Sequence, residues 1–386
     1  MKNNEIIKRG ICKYINLQPF IIYIISILFL TGVVAFEGNT KEFKTIPGKN
    51  LEIDLKHGGA VEIMGWTKPV ISVSVDVDEY LDYLKFHYND GDLRIKDSHI
   101  RGNIRGGLTL SVRVPEKFNL DIETMGGSVS IDKIEGAIEG ETMGGELKFS
   151  NLKGTLQFTT MGGEIDLMNS EVEGKLKTMG GELEFTDVIG NIKGSTMGGA
   201  IRFHHTRSIK SGEQPSEVHV ETMGGEIEVD SAPNGVNANT KGGEIYIGSA
   251  GKYVNAKTMG GEITIKEVDG WVKASTMGGD ITVTMIGNPK KGVRDVDLSS
   301  MGGEISLTVP DGLSMEFDIE LTCTKSGYKK YQIISDFPVH IEETESQDYS
   351  NGSPTKYIYG TGTVGDGKNR IKIETINGDI YIKKGK

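Results

Sequence analysis

Cysteine is almost absent from this sequence of 386 residues, which contains only Cys12 and Cys323. Cys12 precedes an apolar run near the N-terminus, so it is not placed as a lipid-attachment cysteine. If that N-terminal segment is removed on export, one thiol remains and no internal disulfide can form. Cys323 is therefore interpreted as a half-buried cysteine of a strand.

Positive charge is also scarce, because 43 basic residues stand against 54 acidic ones and the formal net charge is −11. This balance argues against nucleic acid and anionic membrane surfaces as partners. Hydrophobic residues make up only 37% of the chain. Such a composition predicts a thin core to which each part of the chain contributes few side chains.

The residue patterns of common enzymes are missing as well. The chain has no G-x-S-x-G motif, no phosphate-binding loop and no paired cysteines. Its histidines show no metal-ligand spacing: they are His57, His87, His99, His204, His205, His219 and His340. We therefore expect no enzymatic activity, no cofactor and no metal site.

Residues 1–35 have the pattern of an export signal, in which basic residues are followed by an apolar run from Phe20 to Ala35 that ends in small residues. The run has about 16 residues, short of the roughly 20 that a membrane-spanning helix needs. A cleaved signal is thus favoured over an uncleaved anchor. We expect the protein in the periplasm, on the outer surface or secreted, with membrane contact only through this segment if it stays uncleaved.

The rest of the chain is organised by the segment Thr-Met-Gly-Gly-Glu-Ile, which recurs every 18 residues wherever no insertion intervenes. A fixed short period is the signature of a repeat architecture. Two weaker copies begin at Thr240 and Thr375. The other nine copies carry a methionine: Met125, Met143, Met161, Met179, Met197, Met223, Met259, Met277 and Met301.

Aliphatic residues fall five, seven, ten and fourteen positions after the motif threonine, and no 3.6-residue period appears. The change of parity across Met-Gly-Gly implies a turn between two strands. We therefore predict an all-β fold, a single-stranded parallel β-helix with 18-residue rungs. It is expected to be right-handed, because parallel crossovers nearly always have that hand. A left-handed helix of hexapeptides would need apolar residues six positions apart, which is not the spacing here.

The predicted organisation has four parts. Residues 1–35 form the signal, 36–120 a β-rich N-terminal cap with irregular rungs, 121–310 the regular rungs, and 311–386 irregular rungs with a closing strand. Longer steps between methionines place insertion loops at 204–214, which would carry His204 and His205, and at 287–293. The polar stretch 342–355 is predicted to be mobile.

When rungs stack, each motif position becomes a column with one residue per rung. The threonines share the parity of the core, so their hydroxyls are expected to bond to neighbouring rungs or to turn amides. Ice binding is disfavoured, since it would take paired outward threonines. The glycine pairs are assigned to the turn, here for the first four copies: Gly126, Gly127, Gly144, Gly145, Gly162, Gly163, Gly180 and Gly181.

The motif carboxylates form a second column, which is the candidate partner-facing surface. Neighbours about 4.8 Å apart repel by about 0.9 kcal/mol even in water. One carboxylate per rung cannot supply the six to eight oxygens of a calcium site, so a solvated acidic edge is favoured over a metal site. The column comprises Glu146, Glu164, Glu182, Glu226, Glu244, Glu262, Asp280 and Glu304, and Ala200 interrupts it.

The direction of the methionines is left open, because each adjoins the turn. Inward, they would fill irregular gaps at a corner. Outward, they would form an apolar stripe large enough to imply a partner. A corner position that is at least partly buried is favoured.

Three features resemble the bacterial family of adhesin-like β-solenoids, described largely as domains of unknown function. They are the strand ending in Val112-Arg113-Val114-Pro115, the Thr-x-x-Gly-Asp/Glu-Ile series, and the closing run from Ile373 to Ile382. The resemblance covers about residues 45–386 and implies a β-solenoid without catalytic residues. The near-invariant Met-Gly-Gly departs from the family, whose members vary there.

The favoured function is an exported, non-enzymatic, adhesin-like binding module that engages a cell-surface protein or glycan with its long faces or its loops. A structural spacer or self-assembling unit is the second hypothesis. A carbohydrate-active β-helix enzyme is the third, because such enzymes share the shape but need a cluster of acids and bases that the repeats do not provide.

Overall fold

A computed structural model describes residues 33–37, 40–98, 108–205, 217–324, 331–346 and 355–385. Within these ranges the chain is all-β, as predicted, with 32 strands and one helical turn at Asp78–Leu81. Most of the predicted signal and most of the insertion at 204–214 lie outside the described residues. No helix in the described ranges is both long and apolar enough to cross a membrane.

Nine strands precede the regular repeats. They are β1 Val33–Glu37, β2 Thr40–Lys44, β3 Asn50–Leu55, β4 Ala60–Trp66, β5 Val70–Val75, β6 Leu84–Asn89, β7 Asp92–Asp97, β8 Thr109–Pro115 and β9 Asn119–Thr124. Strands β6 and β7 form an antiparallel hairpin. Its turn has positive φ values at Asp90 and Gly91, as a tight hairpin turn requires.

Each regular copy contributes a short strand after the glycines and a second strand that leads to the next threonine. In two copies these merge into one long strand, β22 or β23. The strands are β10 Val129–Asp132, β11 Glu135–Thr142, β12 Leu147–Ser150, β13 Lys153–Thr160, β14 Ile165–Met168, β15 Glu171–Lys177, β16 Leu183–Thr186, β17 Ile192–Ser195, β18 Ile201–His204, β19 Val218–Glu221, β20 Ile227–Ala232, β21 Val236–Asn239, β22 Ile245–Lys257, β23 Ile263–Thr276, β24 Ile281–Met285, β25 Val296–Ser300 and β26 Ile305–Val309.

Successive copies pair in parallel at equal motif positions. Ile165 pairs with Leu147 on one side and with Leu183 on the other, so the partners are 18 residues apart. The period of the sequence is therefore the period of the hydrogen-bond ladder. The apolar positions predicted for the core are buried, as at Leu152 and Leu156, which are at most 2% exposed.

The N-terminal strands extend the same ladders. Strand β4 pairs in parallel with β10, and β3 pairs in parallel with β9. The turn at His57-Gly58-Gly59 thus lies beside the first Met-Gly-Gly turn, and the N–H of Gly59 bonds to the carbonyl oxygen of Gly126 at 2.7 Å. This turn lacks Thr-Met and has one extra residue, which hides the copy from the sequence pattern.

The C-terminal strands are β27 Met315–Thr324, β28 Ile333–Ser335, β29 His340–Ser346, β30 Thr355–Val364, β31 Asn369–Ile376 and β32 Ile380–Lys384. The closing run has the predicted register, since Thr375 pairs with Ser300 and Ile380 with Ile305. Strand β27 pairs in parallel with β31, on the side away from β25. Strand β30 pairs antiparallel with β27, and β29 pairs antiparallel with β30. The residues between the last regular copy and the closing run therefore cover that run.

Two sequence predictions about irregular segments are corrected. The stretch predicted to be mobile includes 342–346, which belong to strand β29, because β30 offers an open edge and backbone pairing tolerates polar side chains. His204 is the last residue of β18, so the strand continues further than the insertion boundary predicts.

The predicted insertion at 287–293 is a loop between β24 and β25. The buried side chain of Arg294, which is only 2% exposed, holds this loop in place. The guanidinium donates to the carbonyl oxygens of Ile286 at 2.8 Å and Asn288 at 3.2 Å and forms an ion pair with Asp269. These contacts anchor the loop to the end of β24 and to Asp269 of the preceding copy.

Candidate binding edge

Each repeat turn is fastened to the turn of the preceding copy by its threonine. The threonines of the nine copies from Thr124 to Thr276 are 0 to 5% exposed. The Thr178 hydroxyl donates to the carbonyl oxygen of Gly163 at 2.9 Å and accepts the N–H of Gly181 at 3.2 Å. The predicted structural role of the threonines is confirmed, and no hydroxyl of this column is left for a ligand.

The second glycine of each turn is required by close backbone approach. A Cβ atom on Gly163 would overlap the carbonyl group of Gly145, and the same overlap recurs in the later copies. The first glycine differs, because a Cβ atom on Gly126, Gly144 or Gly162 would meet nothing within 4 Å. Steric need therefore explains the second glycine of these turns and leaves the first unexplained.

The methionines lie on the outside of the molecule. Each of the nine motif methionines, here called the methionine column, is between 41% and 55% exposed. About half of each side chain is covered, as the preferred prediction allows, but the column faces solvent and does not fill the core. The strand runs up to an inward threonine such as Thr142, so the residue that follows must point outward. That parity is the signal which the sequence reasoning overlooked.

The motif carboxylates lie three residues beyond the methionines. Glu146 is half-buried and the other seven members of this carboxylate column are exposed. Where Ala200 interrupts the column, Arg202 contacts Glu182 of the preceding copy at 2.6 Å and Glu226 of the following copy at 2.9 Å. Arg202 thus forms ion pairs with the carboxylates on both sides of Ala200.

Charged side chains lie close together on the strand face beside the carboxylate column. Lys148 pairs with Glu146 at 2.8 Å, and that hydrogen bond raises the pKa of the lysine. Burial raises the pKa of Asp166, and the neighbouring carboxylates Glu184 and Glu146 raise it further. Anionic side chains therefore dominate the surface next to the methionines. We call the methionine column, the carboxylate column and the first glycines between them the Met–Glu edge.

A shallow aromatic groove lies on another face. Tyr253 and Trp271 stack with ring centroids 4.9 Å apart and planes 13° apart. Trp271 borders a groove of about 440 Å³ that also includes Val293, Asp295 and Arg370. The sequence analysis did not single out this groove, because its members come from different copies and from the insertion loop.

In the part of the chain that the structure describes, no group of three or more histidine, cysteine, aspartate or glutamate side chains is placed to hold a metal ion. Cys323 is partly buried in β27, as predicted, and burial raises the pKa of its thiol.

No protein-family model and no curated protein matches this chain. Among solved structures, it is similar to a putative cell adhesion protein from Clostridium sporogenes, with 12% identity, a TM-score of 0.19, and coverage of 90% of this chain and 100% of the other. A putative adhesin from Bacteroides fragilis shows 12% identity, a TM-score of 0.24, and coverage of 90% and 96%. A putative lipid binding protein from Parabacteroides distasonis shows 17% identity, a TM-score of 0.26, and coverage of 69% and 95%. The adhesin names agree with the resemblance found in the sequence, but similarity at this level carries no argument about function.

Proposed function

We propose that this chain is an exported, non-enzymatic, adhesin-like binding module that engages its partner with the Met–Glu edge. We further propose that it folds as a single-stranded parallel β-helix, because copies that pair in parallel at an 18-residue step require the chain to return to the same place once per copy. A right-handed sense is expected. The proposed parts are the signal at 1–35, the cap at 36–120, the regular rungs at 121–310 and the irregular end at 311–386.

The observation that carries this proposal is the contrast between the turn and a strand position of the same repeat whose side chains lie outside the core. Six residues after the threonine, the side chain varies in nearly every copy: Ser130, Lys148, Asp166, Glu184, Arg202, Glu228, Tyr246, Thr264, Thr282 and Ser306. In those ten copies the methionine position departs once, at Lys241, and the first glycine never. Packing does not require the first glycine at Gly126, Gly144 or Gly162, and about half of each motif methionine is exposed, so an external contact is the better explanation for both.

The edge has the character of a recognition surface. Ten copies at a strand spacing of about 4.8 Å make an edge roughly 40 Å long, on which nine half-exposed methionines form apolar runs of six and three residues on either side of Lys241. Contiguous exposed apolar surface of this kind marks interaction sites. The neighbouring carboxylates favour a partner that presents apolar groups together with positive charge or hydrogen-bond donors.

A cell-binding titration tests the proposal. We expect replacement of Met143, Met161 and Met179 by glutamine, which keeps the side-chain length, to weaken binding of the purified protein to intact cells at least tenfold. Met168→Gln is the matched control, because Met168 is 40% exposed but lies off the column. Equal binding by both variants would contradict the proposal.

The aromatic groove supports glycan binding as a second candidate function. Stacked aromatic rings beside charged side chains present an apolar platform with polar groups at its rim. We expect Trp271→Ala to abolish any signal on a glycan array while Met–Glu edge variants keep it. An array that is blank for the wild-type protein would remove this candidate.

Assembly and location are tested separately. Sedimentation over a wide concentration range distinguishes a binding module from the alternative self-assembling unit, which would grow in mass with concentration. Cell fractionation combined with surface proteolysis tests export. A chain that is found in the cytoplasm with residues 1–35 still attached would contradict the proposed signal.

A further inference from the structure

The motif position directly after the threonine keeps methionine more strictly than an apolar contact alone requires. In the same copies, buried apolar positions exchange freely, as at Leu167, Phe185 and Val229. The exposed position takes no other apolar residue in the ten copies from Thr124 onward, and only the closing copy has Ile376 there. The property that is kept is a flexible side chain with a thioether sulfur.

Adjacent copies hold the backbones of these methionines one strand spacing apart. The N–H of Met277 bonds to the carbonyl oxygen of Met259 at 3.2 Å, and neighbouring strands are about 4.8 Å apart. Two bonds of the length that zinc makes to cysteine sulfur, about 2.3 Å each, span about 4.6 Å. Rotation of these flexible side chains can therefore bring two successive sulfur atoms within bonding distance of one metal ion without movement of the backbone.

We propose that the methionine column binds the soft monovalent ions Cu(I) and Ag(I), each held between thioethers of successive copies. This inference rests on the proposed function in taking the Met–Glu edge as the binding surface, and it names a ligand class for that edge. Thioethers select Cu(I), whereas calcium and magnesium take oxygen ligands. The carboxylate column adds negative charge beside the sulfurs and raises the local concentration of cations.

Lys241 divides the column into a run of six methionines and a run of three. Its exposed ammonium group stands where a thioether would otherwise lie and repels a cation at both neighbouring positions. Lys241→Met should therefore join the two runs and increase the number of ions that one chain binds.

Calorimetric titration with silver nitrate in chloride-free buffer tests the inference, followed by competition for Cu(I) against a chromophoric chelator under reducing, oxygen-free conditions. The full chain carries Cys12→Ser and Cys323→Ser so that no thiol competes. Replacement of Met143, Met161, Met179 and Met197 by leucine should weaken silver binding in the first run at least tenfold. Met64→Leu together with Met168→Leu, two exposed methionines off the column, is the control and should change nothing.

A wild-type chain that binds no silver would overturn the inference, as would a column variant that binds like the control or a Lys241→Met variant that gains no ion. The same leucine variants keep the edge apolar, which separates the two proposals in the cell-binding assay. Loss of silver binding with retained cell binding supports the metal site and leaves the adhesin-like function standing. Silver binding by a protein that binds no cells supports the metal site and contradicts the cell-surface function.

Discussion

At the scale of single residues, the two glycines of one turn have different packing environments. The second glycine lies against the backbone of the preceding copy, whereas the first faces open space at Gly126, Gly144 and Gly162. Sequence reasoning assigned both to the turn. The structure therefore separates a glycine that the fold needs from one whose retention packing does not explain.

Alanine substitutions test this separation. Gly163→Ala forces the backbones apart and should lower the free energy of unfolding by about 1–3 kcal/mol or more. Gly162→Ala, one residue away, should change it by no more than about 0.5 kcal/mol. Urea denaturation measures both, and equal losses would contradict the assignment of the two glycines.

The threonine column allows a similarly matched test. Thr178→Val removes a hydroxyl from a side chain that is 0% exposed and leaves the Gly181 N–H without it, which should cost about 1–3 kcal/mol. Thr178→Ser keeps both bonds and should cost about 1 kcal/mol for the lost methyl group. Ser300 already makes the two bonds, at 2.9 Å each. If valine proved no worse than serine, the hydroxyl would have no structural role.

At the scale of elements, the acidic strand face predicts a pH dependence. Burial raises the pKa of Asp166 in the folded chain, so the native state holds this proton more tightly than the unfolded state does. Stability therefore falls as the pH rises from the ordinary pKa of the carboxyl through its raised value. The cost is therefore larger at pH 7 than at pH 3.

Asp166→Asn should accordingly raise the urea midpoint more at pH 7 than at pH 3. The measurement is a pair of denaturation curves for wild type and variant at the two pH values. A gain of equal size at both would show that packing, and not charge, is responsible.

The insertion loop predicts a contrast between two arginines. Arg294→Met removes donors to two loop carbonyls and leaves Asp269 without its cation, which should cost about 1–3 kcal/mol and speed proteolysis within 287–293. Arg370→Met breaks only an exposed pair with Asp318 and should cost at most about 1 kcal/mol. Equal proteolysis of the two variants would contradict the anchoring role of Arg294.

At the scale of the whole molecule, the sequence predicted what depends on spacing. An 18-residue period with a fixed parity is enough to place Ile165 between Leu147 and Leu183 and to put the threonines inside. It could not reveal the N-terminal copy at His57-Gly58-Gly59, because one extra residue breaks the register of the pattern.

Other features depend on contacts between distant segments, which spacing does not encode. Polar residues 342–346 become a strand only because β30 lies beside them. The stack of Tyr253 on Trp271 exists because their copies are neighbours in the ladder. The methionine direction, in contrast, was within reach, since the inward threonine before it determines the parity.

Oxidation footprinting of methionine tests the central claim, that the Met–Glu edge is the surface that meets the partner. Mild peroxide converts exposed methionines to sulfoxides, and mass spectrometry follows each site with and without intact cells. In the free protein the nine column methionines should react like Met168 and far faster than Met315, which is 0% exposed. On binding, the column should become protected while Met168 stays reactive. A column that remains as reactive as Met168 in the bound protein would contradict the account.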